Sequence, residues 1–162
     1  MVFRLRLLNP WLLPLLTYLS LVVAGSLYPF AWHSPNPESY GFLWQAWPAT
    51  ITRTDILTNV LVYFPLGLFG AKVFFRRRLT LGRWLLISCA VALISLLLET
   101  VQLFLPARVA SNVDLSFNAL GGALGAAWAP IFSRHGRIFA LLLVLRRHWF
   151  YSGWRIHAGL IL

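Results

Sequence analysis

Apolar residues dominate four stretches of the chain, and short polar, aromatic or basic segments separate them. The stretches cover 11–31, 55–75, 84–105 and 114–132. Each approaches the ~20 residues that an α-helix needs to cross the hydrocarbon of a bilayer. The fourth is the least apolar. The pattern predicts an all-α membrane protein: a four-transmembrane-helix bundle over 1–133 and a short interfacial C-terminal segment over 134–162. In that segment the apolar run 138–145 is too short to span, and Trp149, Tyr151 and Trp154 follow it, as in interfacial segments. Arg4, Arg6 and the small run Ala24-Gly25-Ser26 give the first stretch the look of a signal peptide. Its apolar run outlasts the roughly 7–15 residues of such a region, so it is predicted to be a retained helix. Pro35, Pro37, Tyr40, Trp44, Trp47 and Pro48 fill the loop that follows. Such rings prefer the headgroup layer, and a short helix is expected near 42–47.

Composition narrows the class. The chain is 59% apolar and only 11% charged, where soluble domains carry about 25% charged residues. A net charge of +10 raises nucleic acid as a partner. The arginines flank apolar spans instead of covering one soluble face, so they read as topology signals with affinity for anionic lipid. Nucleic acid is excluded on that ground, and membrane lipids are the expected partners. Cys89 is the sole cysteine, in mid-span, with no disulfide partner and no metal-ligand spacing. The positive-inside rule then sets the orientation. With both termini and the Arg76-Arg77-Arg78 link in the cytoplasm, every basic residue except Arg53 and Arg108 lies inside.

This orientation changes the meaning of the acids. There are only four, Glu38, Asp55, Glu99 and Asp114, and all fall toward the outer side. An ionisable group within a membrane span costs about 2.5–3.5 kcal/mol on insertion scales and marks a functional site by default. Glu99 lies about 9 Å below the outer edge, and Asn59 and Asn118 about 6 Å, from the helical rise per residue. Residues three or four apart share a helix face. That groups Ser88, Ala92, Ser95, Glu99 and Gln102 on the third span, Asp55, Asn59, Val62, Leu66 and Gly70 on the second, and Asp114, Asn118, Gly121 and Gly125 on the fourth. Gly121-x-x-x-Gly125 is a small-xxx-small pattern suited to close helix approach. Pro65 forfeits a bond to the carbonyl of Leu61 and is expected to kink the second span. Asp55-x-x-x-Asn59 and Asp114-x-x-x-Asn118 form a weak internal repeat, which N-capping by aspartate would also explain.

Taken together, these residues resemble the VanZ-like membrane proteins. The elements are Asp55-x-x-x-Asn59, Phe64-Pro65-x-Gly67, Glu99-x-x-Gln102, Arg108, Asp114-x-x-x-Asn118 and Gly121/Gly122-x-x-Gly125, in that order on successive spans. The resemblance implies a small multi-helix protein of the bacterial inner membrane in a cell-envelope setting. The family takes its name from a determinant of resistance to teicoplanin, a glycopeptide antibiotic, and it carries no securely assigned reaction.

Three readings of the cluster remain open. As glue, Asp55 and Asp114 cap helices and the carboxamides bond between spans, at roughly 1 kcal/mol or less each, with Arg108 paired to an acid. As a binding site, Asp55, Asn59, Glu99, Gln102, Arg108, Asp114 and Asn118 surround an envelope lipid or glycan, with Glu99 and Arg108 as the central pair and Arg108 gripping an anionic group. Gly67, Gly121, Gly122, Gly125 and Pro65 are then structural. As an enzyme, Glu99 is the candidate general acid or base, or it holds a divalent cation beside Asp55 or Asp114. No cofactor is indicated. His33, His135, His148 and His157 fall in loops or the tail, away from the layer, which removes zinc and nucleophile–histidine pairs. A transporter is disfavoured, because no polar path continues through the inner halves of the spans.

Overall fold

The computed structural model describes residues 9–35, 37–75 and 79–132. They form four α-helices: α1 Leu12–Leu27, α2 Arg53–Phe74, α3 Leu81–Gln102 and α4 Asn112–Trp128. Two 3-10 helices, Pro37–Trp44 and Ala129–Phe132, complete the order, and no strand occurs among the described residues. Met1–Ala127 form one compact unit; of the second, Trp128–Leu162, only its first turn to Phe132 is described. The expected interfacial segment 134–162, three of the four histidines and the Arg4, Arg6 and Arg76-Arg77-Arg78 anchors lie outside the described residues.

Three stretches, Arg53–Phe74, Leu81–Gln102 and Asn112–Phe132, are long and apolar enough to cross a membrane, and Leu12–Leu27 is a shorter apolar helix. The first span is thus shorter than the 11–31 expected. Its 16 residues rise about 24 Å, against a hydrocarbon core of about 30 Å. Proline ends it. Pro29 has no N–H to continue the ladder and pushes the preceding residue out of the helical region; Tyr28 accordingly sits at φ −62°, ψ 136°. The Tyr28–Pro29 bond is cis, and Phe30 follows at φ 62°, in the left-handed region.

The other helices start earlier than hydropathy alone indicates, because hydroxyl caps precede the apolar runs. Thr52 caps α2 and Thr80 caps α3. α3 also ends at Gln102, three residues before the expected 105, ahead of a turn in which Phe104 and Leu105 donate to the carbonyls of Val101 and Gln102. α2 runs as one helix through Pro65. The expected short helix at 42–47 forms one turn earlier, as the 3-10 helix Pro37–Trp44. Phe42 anchors it in an apolar cluster with Leu103 and Ala110, and Asn112 Nδ2 donates to the Gln45 carbonyl at 2.6 Å.

α1 packs on α2 and α3, and α2 on α3. α4 meets α2 through glycine. A Cβ at Gly121 would collide with the Val60 carbonyl, one at Gly125 with the Phe64 carbonyl, and one at Gly67 with the Gly122 carbonyl. The two backbones therefore touch along a seam with no side chain between them, as small-xxx-small packing requires. Gly122 leaves room for Val91 of α3. At the opposite end from the acids, Asn9 Nδ2 donates to the last carbonyls of α2, Lys72 and Val73, and Lys72 stands over the Trp11 ring.

Candidate functional site

Two local sequences set up the site. Ser111 is the cap of α4: its Oγ accepts from the N–H groups of Val113 and Asp114 at 3.2 and 3.3 Å. Thr52 Oγ1 accepts from the Asp55 N–H at 3.1 Å. The aspartates read as caps are therefore not the caps. Both lie three residues on, in the first turn, where a carboxylate meets the positive end of the helix. The pattern Thr52-x-x-Asp55 and Ser111-x-x-Asp114 is the signal that finds this, a hydroxyl followed at three residues by an acid. Ser111 also donates its own N–H to Glu99 Oε2 at 2.8 Å, which fastens the end of α3 to the start of α4.

The carboxamides then bond between helices, not along them. Asn59 Nδ2 of α2 donates to Asp114 Oδ1 of α4 at 2.8 Å. Asn118 Nδ2 of α4 donates to Ser95 Oγ of α3 at 2.9 Å. Gln102 Nε2 of α3 donates to the Ser26 carbonyl of α1 at 3.0 Å. Asn59 and Asn118, matched in the sequence repeat, thus have unlike partners.

Arg108 departs from the pairing with an acid expected of it. Its Nε donates to the Tyr28 carbonyl at 3.2 Å and its Nη2 to the Gly25 carbonyl at 2.7 Å. It closes the carbonyl end of α1, where a cation is favoured by the helix dipole. It forms no ion pair among the described residues, with Glu99 or with any other acid.

Between these groups lies a cavity of about 560 Å³, lined by Asn59, Glu99, Gln102, Arg108, Asp114 and Asn118. The structure thus brings six of the seven expected binding residues around one space, at the end of the bundle where α1 and α3 finish and α2 and α4 begin. Asp55 does not line it and is exposed at the start of α2. Glu99 and Asn118 are buried, at 4% and 3% exposure. Asn118 Oδ1 is buried with no hydrogen-bond partner. Such an atom costs about 1–3 kcal/mol unless something reaches it, and an unsatisfied buried group in a native protein calls for an explanation such as a bound water, an ion or a ligand group.

Tyr18, Ser26 and Tyr63 also line the cavity and were not singled out from sequence. The Tyr63 hydroxyl interacts with the side chains of Ser95 and Ser26. Tyr63 lies four residues after Asn59, on the same helix face, so helical spacing could have found it. Nothing in the sequence marks Tyr18 or Ser26. Among the described residues no three His, Cys, Asp or Glu side chains gather as a metal-binding group. The arrangement is suited to holding a polar group of some size within an apolar bundle, in the volume range of small-ligand sites.

A family model, VanZ/LLP1, matches residues 11–133. Neither a curated protein nor a solved structure matches the chain.

Proposed function

As the chain belongs to the VanZ/LLP1 family, we propose that its cavity binds the polar part of a cell-envelope lipid or glycan. In this reading the protein crosses the bacterial inner membrane four times with both termini in the cytoplasm, and the cavity faces outward. Occupancy of the cavity would in turn alter how the surface meets glycopeptides of the teicoplanin type.

The observation that supports binding over glue is Asn118. A cluster that only ties helices together would satisfy its most buried carboxamide. Here Asn118 bonds Ser95 with its nitrogen and leaves Oδ1 buried and unpaired beside open space. The test is Glu99→Gln, purified in mild detergent and compared with wild type for both thermal stability and co-purified lipid. Binding predicts a changed lipid complement with the melting temperature of the stripped protein held within a few degrees. Loss of fold with an unchanged lipid complement would return the cluster to the role of glue. A strain carrying the variant would also lose any shift in glycopeptide susceptibility that the wild-type chain confers.

A further inference from the structure

The hydrogen-bond ledger of the cavity is lopsided. Each carboxamide nitrogen donates one of its two N–H groups, to Asp114, Ser95 or the Ser26 carbonyl, and Arg108 donates from two nitrogens to the end of α1. Several of the oxygens carry no bond at all. Among the described residues, Glu99 Oε1, Asp114 Oδ2, Gln102 Oε1 and Asn118 Oδ1 accept nothing. All are acceptors, and two belong to acids. A ligand that pairs these oxygens must bring donors, and a cation answers the two carboxyl groups best. At the rim stands the opposite charge, the exposed guanidinium of Arg108, which forms no ion pair among the described residues. The cavity thus offers acceptors within and a cation at its edge.

A second observation concerns apolar surface. A groove of about 310 Å³, lined by Leu13, Pro14, Thr17, Tyr18, Leu21 and Phe69, runs along α1. Tyr18 and Leu21 line the polar cavity as well, so the two spaces adjoin. From Leu21 to Leu13 the groove follows α1 for about 12 Å, away from the acids and toward the opposite end of the bundle.

We propose that the ligand is a zwitterionic phospholipid with a primary ammonium group, seated with its ammonium among Glu99, Asp114 and Asn118, its phosphate at Arg108 and one acyl chain in the groove along α1. This rests on the headgroup-binding reading above and narrows it. A primary ammonium carries three N–H donors and one positive charge, which suits a ring of oxygens. A trimethylated ammonium carries the charge and no donor. A glycerol headgroup carries donors and no cation.

The experiment uses the full chain stripped of lipid and measures apparent affinity in nanodiscs or mixed micelles. The probes are phosphatidylethanolamine, phosphatidylcholine and phosphatidylglycerol with identical chains, and glycerophosphoethanolamine, which has none. The expected result is a preference of about tenfold for phosphatidylethanolamine over phosphatidylcholine, from hydrogen bonds between charged groups that only the primary ammonium makes. Glu99→Gln and Asn118→Ala should each shrink that preference to a few-fold, and the chainless probe should bind far more weakly than the intact lipid. Equal binding of the two zwitterions, or stronger binding of phosphatidylglycerol, with either still weakened by Glu99→Gln, overturns the ammonium and leaves headgroup binding standing. Binding of the chainless probe as tight as that of the lipid overturns the place given to the acyl chain. Binding of every lipid at one strength in wild type and both variants overturns the headgroup reading itself.

Discussion

Ser111 carries more of the site than its size indicates. Its hydroxyl receives two N–H groups of α4 and its own N–H reaches Glu99. Replacing it by alanine removes the first role and leaves the second, which is a backbone contact. Ser111→Ala should therefore cost about 1 kcal/mol, the usual worth of such a cap, measured by thermal or denaturant unfolding in detergent. Ser111→Thr should restore most of that stability, and lipid retention should survive in both. At this scale the sequence was half legible. Asp55 and Asp114 were found, and their place near helix starts was right. The cap itself lies three residues earlier, because a hydroxyl there accepts the free N–H groups while the carboxylate in the first turn meets only the helix dipole. Asn118 was also found. Its partner was not, since a bond to Ser95 depends on how two helices are rotated about their axes, which periodicity within one helix leaves undetermined.

At the scale of elements, the glycine seam is the feature most exposed to test. Gly125→Ala should destabilise by about 3 kcal/mol or more, because the new methyl meets the Phe64 carbonyl, a backbone atom that cannot turn aside. Gly82→Ala is the control. A Cβ there meets nothing within 4 Å, and alanine is the better helix former by about 1 kcal/mol, so unfolding should show no loss. Equal effects of the two would remove the seam as the basis of the α2–α4 contact. The small-xxx-small pattern announced close packing for α4. It did not name α2 as the neighbour or pair Gly67 with Gly122, for the pattern records only one side of a contact. Hydropathy also overran the first helix by reading straight through Pro29, which is apolar enough for a span yet ends the ladder.

For the whole molecule, the most legible property was the gathering of polar groups at one end. Four apolar stretches alternating in direction, with acids at alternate ends, forced Asn59, Glu99, Gln102, Asp114 and Asn118 to one level, and they share one cavity. Which atoms stay unpaired there was out of reach, since that follows from every contact at once. The orientation argued from the basic residues has a direct check. In a Cys89→Ser background, Ala107→Cys should react with a membrane-impermeant maleimide in intact spheroplasts, and Leu81→Cys only after lysis. The reverse pattern would invert the topology and turn the cavity toward the cytoplasm.

The seam between α2 and α4 also sets which parts of the molecule have any give. Where carbonyl meets methylene there is no layer of side chains to slide, compress or repack, so these two helices behave as one chassis of fixed gauge. α1 is fitted differently. At its far end it is held by side chains reaching its carbonyls, Gln102 on Ser26 and Arg108 on Gly25 and Tyr28. Such bonds can lengthen or exchange without moving a backbone. The dimensions of the cavity are therefore fixed on two sides and adjustable on the side α1 supplies, and residues such as Tyr18, Leu21 and Val22 are where its bore can be changed while the chassis stays as built.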